Sequence, residues 1–232
     1  MKSRKKKKQG LKNRRIRQII RLGTVILVGV AVLSCVCLIF GKIAGGTVPG
    51  GAFRIEKTYQ VDAPEITELL LTPNEYSRPQ TELSEVNGIV VHYTANPGTD
   101  AVANRNYFEN LKDTHSTKVS SHFIIGLDGE IIQCVPLEEI AYASNERNAD
   151  TISIECCHPD ETGEFTKETY QSLIRLVAWL CGQYNLKMDN ILRHYDVTGK
   201  DCPRYFVKNE TEWETLKTDV FTYIEEIRSE KK

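Results

Sequence analysis

No acidic residue precedes Glu56, and no charge of either sign falls between Leu22 and Gly41. The chain also lacks an internal repeat, which excludes solenoid, propeller and array architectures. Low-complexity sequence is missing outside the basic start. That acid-free start holds eleven of the 30 Lys and Arg, all within residues 1–21, so 19 basic residues remain against 31 acids in the rest of the 232-residue chain. The formal net charge of −1 conceals this split. An acidic body excludes nucleic acid as its partner, because phosphate contacts need a basic surface.

The uncharged run is twenty residues long, bounded by Arg21 and Lys42. As a helix it spans roughly 30 Å, the hydrocarbon thickness of a bilayer. A Lys/Arg-rich flank before such a run stays on the cytoplasmic side. The expected organisation is therefore a basic cytoplasmic tail at 1–21, a transmembrane anchor at 22–41, a flexible linker at 42–60 carrying the Gly45–Gly51 stretch, and one domain at 61–228 on the extracellular side. A cleaved signal peptide is the alternative. The run exceeds a usual signal h-region and no A-x-A site follows it, which favours a retained anchor.

The domain mixes strands and helices. The apolar run Val86–Tyr93 predicts a buried strand. A helix is expected over Asp100–Lys112, with Asp100 as N-cap and Phe108 and Leu111 on one face. His122–Leu127 and Glu130–Val135 flank Asp128-Gly129, a hairpin signal. Thr151–Cys157 reads as another strand, and Thr166–Tyr184 as an amphipathic helix with Tyr170, Leu173, Ile174, Val177, Cys181 and Tyr184 at helical spacing. The last helix is expected to start at Thr211, with Glu214 completing a capping box and Trp213, Leu216, Val220, Ile224 and Ile227 as its core stripe. Strands followed by helices predict an α/β fold with a mixed sheet covered by helices.

Chemistry concentrates in Arg193–Pro203. His194 and Cys202 stand with seven residues between them, and imidazole and thiolate are ligand types that zinc prefers. Thr198-Gly199 lets the chain turn back so that both side chains reach one ion. The best third ligand is His92, at the end of its apolar strand. Three protein ligands leave the fourth tetrahedral position to water, whose pKa the ion lowers toward roughly 7.

Four segments occur in a fixed order: "VVHYTAN" around His92, "SSHFIIGLDGEIIQCVP", "TISIE" and "RHYDVTGKDCP". Together they resemble the zinc N-acetylmuramoyl-L-alanine amidases of the type-2 class, in the branch of the phage lysins and related to the peptidoglycan recognition proteins. The resemblance covers about residues 83–207. It implies a central mixed sheet with flanking helices, one catalytic Zn²⁺, and cleavage of the amide between N-acetylmuramic acid and L-alanine in peptidoglycan. It also implies His92, His194 and Cys202 as the zinc ligands. Glu155, in "TISIE", matches the glutamate that serves as general base in one branch of the family, and Lys200, two before the cysteine, matches a lysine that assists catalysis in the phage-type branch. Where some relatives carry a catalytic tyrosine before the "HF" histidine, this chain has Ser121, which places more weight on Glu155.

These roles agree with amide hydrolysis, which needs an activated water, a proton acceptor and a cation for the oxyanion. His115, His122, Asn96 and Tyr142 are further candidates for contact with the muropeptide, and His158, before Pro159, is expected at the surface. Cys134 and Cys181 are read either as a disulfide or as buried free thiols, and the adjacent Cys156 and Cys157 as pointing to opposite faces of a strand. Two other function classes compete with the enzyme: a muropeptide-binding module without turnover, and a tethered scaffold that has kept only the fold. Cys202 favours the enzyme, because non-hydrolysing members of the resembled family typically lack that ligand.

Overall fold

The structure is a computed structural model that describes residues 60–231. The expected tail at 1–21 and anchor at 22–41 lie outside the described residues, as does the linker up to residue 59. Among the described residues no helix is long and apolar enough to cross a membrane.

Six strands form one sheet: β1 (Thr67–Glu68), β2 (Gly88–Tyr93), β3 (Phe123–Ile125), β4 (Ile131–Gln133), β5 (Thr151–Cys156) and β6 (Ile191–Arg193). Their spatial order is β1-β4-β3-β5-β2-β6. Only β3 and β4 pair antiparallel, as the Asp128-Gly129 turn requires; the other neighbours are parallel. The helices are α1 (Ala101–Thr114), α2 (Lys167–Tyr184), α3 (His194–Thr198), α4 (Arg204–Lys208) and α5 (Glu210–Glu230), with short 3-10 turns at Asn145–Ala149 and Met188–Asn190. The expected mixed sheet with flanking helices is the one observed.

The sheet separates two apolar layers. On one face Ile89, Val91 and Tyr93 of β2 and Ile152, Ile154 and Cys156 of β5 pack with Leu173, Leu176, Val177 and Leu180 of α2 and Trp213, Leu216, Val220 and Ile224 of α5. On the other face Ile124, Ile132 and Cys134 meet Ala101 and Phe108 of α1. Strand alternation decides which face each residue takes. In β2 and β5 it turns Val90, His92, Ser153 and Glu155 away from the α2/α5 layer. Cys156 and Cys157 fall in different layers, as expected for adjacent strand positions. Cys134 and Cys181 also lie on opposite sides of the sheet, and all five described cysteines are buried free thiols.

Two helix starts carry side-chain caps, the first at the expected Asp100 and the second at Thr166. Asp100 Oδ1 accepts from Ala103 N at 2.6 Å, and Thr166 Oγ1 from Thr169 N at 3.0 Å. The last helix does not start at Thr211. It begins at Glu210 with Asn209 as its N-cap and no side-chain cap bond. Glu210 is drawn into the first turn by Arg193 (2.6 Å), and the Glu214 carboxylate pairs instead with Lys217 at 2.7 Å. Within α2 the buried stripe centres on Leu173, Leu176, Val177, Leu180 and Cys181, while Tyr170, Ile174 and Tyr184 lie at its margin.

Candidate metal centre

β5, β2 and β6 are adjacent and parallel, so their carboxyl ends share one edge of the sheet. In open α/β sheets that edge is where ligands bind. Glu155 and His92 are register partners near the ends of β5 and β2, and His194 follows directly on β6. The strand ends thus present a carboxyl and two imidazoles side by side.

Cys202 is brought to them by the segment that follows. His194–Thr198 forms the short α3, and Gly199 closes it in the left-handed region (φ 77°), donating to the Tyr195 carbonyl at 2.7 Å. The chain then doubles back, and the Cys202 carbonyl accepts from Tyr195 N at 2.9 Å. Arg193, 5 % exposed, pins the base of this loop. Its guanidinium donates to Asp196 (2.8 Å), Glu210 (2.6 Å) and the Phe206 carbonyl (2.9 Å). A fork of donors on a rigid plane suits such a junction.

His92, His194 and Cys202 are all buried, and one ligating atom from each lies within 4.8 Å of the others. His92 Nδ1 is 3.8 Å from Cys202 Sγ, and the two imidazole rings meet edge to face at 4.7 Å. His194 Nδ1 is buried and has no hydrogen-bond partner. A buried nitrogen without a partner carries a desolvation penalty unless a ligand takes it up. Two imidazoles and a thiol are a donor set that fits zinc. Burial, and secondarily the Lys200 charge, lower the pKa of His194; burial and the neighbouring His194 and Lys200 charges hold His92 well below 6.5. Both rings are thereby kept neutral, the form that binds metal. Burial pushes the Cys202 thiol up to about 12 in the protein alone, and a dication at this point would reverse that, because coordination deprotonates a thiol.

Glu155 stands beside this cluster. Burial raises its carboxyl to about 8, opposed by the Lys200 ammonium, and Oε2 is enclosed without a partner. Lys200 itself is exposed.

The remaining candidates lie apart. His122 is 1 % exposed, with Nδ1 at 3.0 Å from Ser153 Oγ and Nε2 at 2.9 Å from the Glu139 carbonyl, so neither ring nitrogen is left for a ligand. His115 caps the end of α1 and stacks on Tyr76 at 4.3 Å. Asn96 is exposed in the turn after β2, where its carbonyl accepts from Thr99 Oγ1 at 2.6 Å. Tyr142 is half-buried with the Lys118 ammonium 5.8 Å from its ring. Among the described residues none of these four bonds to the cluster. His158 is not at the surface. It is 1 % exposed, packed 5.0 Å from the Tyr93 ring, with Nδ1 held by the Asp160 carbonyl. Sequence reasoning missed Ser144 and Asn145, which contact His92 Nε2 and His194 Nε2, each at 3.2 Å. Small polar residues in a loop carry no spacing signal that would mark them.

Fold and site together define a mixed-sheet protein with a buried His/His/Cys cluster at its strand ends that could hold a metal ion. Residues 82–205 match the Amidase_2 family, N-acetylmuramoyl-L-alanine amidase, and the chain belongs to that family. It is 36% identical over 160 residues to the N-acetylmuramoyl-L-alanine amidase CwlL of Bacillus licheniformis, covering 63% of this chain and 44% of CwlL. A probable N-acetylmuramoyl-L-alanine amidase of the same organism is 35% identical over 148 residues, covering 59% of this chain and 41% of the relative. The chain thus spans less than half the length of these two relatives. Among solved structures, the catalytic domain of XlyA superposes with a TM-score of 0.58 at 28% identity, over 68% of this chain and 99% of that one. PlyL gives a TM-score of 0.58 at 27% identity, over 68% and 97%.

Proposed function

We propose that this chain is a membrane-tethered, zinc-dependent hydrolase of the amide between N-acetylmuramic acid and L-alanine in peptidoglycan. The observation that carries the reading is the convergence of His92, His194 and Cys202 within 4.8 Å, beside the enclosed carboxyl of Glu155, in a chain of the amidase family. The names of the relatives support it.

His92, His194 and Cys202 would hold the ion. Zinc bound there would supply Lewis acidity for the scissile carbonyl and for a water. The other tasks fall to side chains. Glu155 accepts the proton of the attacking water and returns it to the departing L-alanine nitrogen. The C–N bond breaks, the hydroxyl stays on the lactyl carbon of the muramic acid, and the amine leaves protonated. The anion is the form that accepts the proton; burial disfavours it in the protein alone, while the Lys200 ammonium opposes that shift and a bound dication would oppose it further. The Lys200 ammonium is the cation available to the developing oxyanion. A binding module without turnover would need neither a thiol ligand nor a carboxyl enclosed beside it.

The topology half of the proposal rests on residues 1–41: eleven basic residues before an uncharged run of twenty support an anchor with its N-terminus inside and residues 61–228 on the wall side.

Metal analysis of the full chain tests the site. His92→Ala, His194→Ala and Cys202→Ala each remove one proposed ligand and should strongly lower zinc retention. Cys202→Asp should retain part of it, because carboxylate also ligates zinc. Equal zinc in the wild type and all three alanine variants would remove these residues from the centre.

A further inference from the structure

Two consecutive residues of one loop meet the outward nitrogens of both histidines. Ser144 Oγ lies 3.2 Å from His92 Nε2, and Asn145 Oδ1 lies 3.2 Å from His194 Nε2. An amide oxygen only accepts, so His194 Nε2 bears the hydrogen and Nδ1 is the bare nitrogen. That nitrogen is the buried, unpartnered one of the cluster.

The loop is itself braced. Asn148 Oδ1 accepts from Ala143 N (3.0 Å) and Ser144 N (2.6 Å), fixing the backbone that presents the two residues. Ser144 is 1 % exposed. Asn145 adopts the left-handed conformation (φ 53°), which asparagine tolerates better than most residues.

We propose that Ser144 and Asn145 form a positioning clamp that fixes the ring orientation of both histidines and the tautomer of His194, so that the two Nδ1 atoms face a common cation. The proposal rests on the metal-binding reading above. Neither residue reaches the reacting atoms; each acts through the ligand it holds. Because they are adjacent, a single loop sets two of the three ligands, and a change there loosens both. Acceptors behind metal-bound imidazoles also raise ligand basicity, and losing one typically weakens metal affinity about 10- to 100-fold.

The test uses the full chain in detergent. Asn145→Gly is the informative variant, because glycine keeps the left-handed backbone without strain and deletes only the acceptor. Zinc affinity, measured by competition with a chelator, should fall about 10- to 100-fold in Asn145→Gly and in Ser144→Ala. Asn145→Asp and Ser144→Thr keep an acceptor and should restore affinity to within a few-fold of the wild type. The chain has only five histidines, so ¹⁵N-histidine labelling gives a second readout in the zinc-free protein. His194 should appear as a single Nε2–H tautomer in the wild type and as a mixture in Asn145→Gly. Unchanged zinc affinity in both deletion variants, or a wild-type His194 carrying its hydrogen on Nδ1, would overturn the clamp. A wild type that binds no zinc yet shows the Nε2–H tautomer and its loss in Asn145→Gly would refute the metal reading while upholding the tautomer control.

Discussion

Glu155 and His122 show what burial does to single residues on the same face of the sheet. Burial lifts the Glu155 carboxyl to about 8, against the pull of the Lys200 ammonium, and drops the His122 imidazole from 6.5 to about 4, so burial alone favours the neutral form of both. For Glu155 the anion is the proton-accepting form in the proposed reaction, and the prediction is kinetic. Glu155→Gln keeps the size and removes proton acceptance, so turnover should fall by about 10² or more while zinc content stays at the wild-type level. Normal zinc with normal turnover would transfer the role away from this carboxyl. For His122 the consequence is stability. Its folded pKa lies below its unfolded one, so its contribution is complete above about 6.5 and is lost as pH falls toward 4. The loss amounts to about 3 kcal/mol at the acid end. Urea unfolding across that window should fall less steeply in His122→Gln than in the wild type, and parallel curves would contradict the assignment. At this scale the sequence was legible where chemistry is rare. An imidazole and a thiol with seven residues between them are conspicuous, and the structure brings them together with His92. Ser144 and Asn145 were invisible because loop serines and asparagines have many uses. His158 was misplaced because a following proline reads as an exposed turn, whereas its ring packs beneath Tyr93.

At the scale of elements, the site depends on strands ending together and on helices holding them level. The β3–β4 turn illustrates the second requirement. Gly129 sits at φ 86°, and a Cβ there would come within 2.9 Å of both the Glu168 carbonyl and Ser172 Oγ of α2. Gly129→Ala should therefore destabilise the fold by about 1–3 kcal/mol, through backbone strain and the lost close approach of hairpin to helix. Chemical denaturation would measure it, and a neutral effect would show that turn and helix are not held at this distance. The hairpin, both capped helices and the buried strands were readable from local signals, since the partners of an N-cap or a tight turn lie within a few residues. The start of α5 was not, because it is set by Arg193, seventeen residues away in sequence. The centre of the α2 stripe shifted for a similar reason: periodicity gives the apolar face, while contact with both the sheet and α5 decides its midline.

Over the whole molecule, family and fold agree with what motif order implied, and the charge split adds a statement about place. Lys231 Nζ reaches the Gln60 carbonyl (3.4 Å) and Asp62 Oδ2 (3.1 Å), so the end of α5 meets the beginning of the described chain. The proposed orientation predicts that protease added to cells stripped of their wall removes the domain beyond residue 60, and full protection would reverse the topology. The central claim concerns one bond. Zinc-loaded full chain should be incubated with purified muropeptides and the products identified by mass spectrometry. A new amino-terminal L-alanine and a free lactyl carboxylate on N-acetylmuramic acid are expected, both abolished by a chelator and restored by added zinc. Cleavage within the stem peptide or the glycan, or intact muropeptide beside zinc-loaded chain, would contradict the claim.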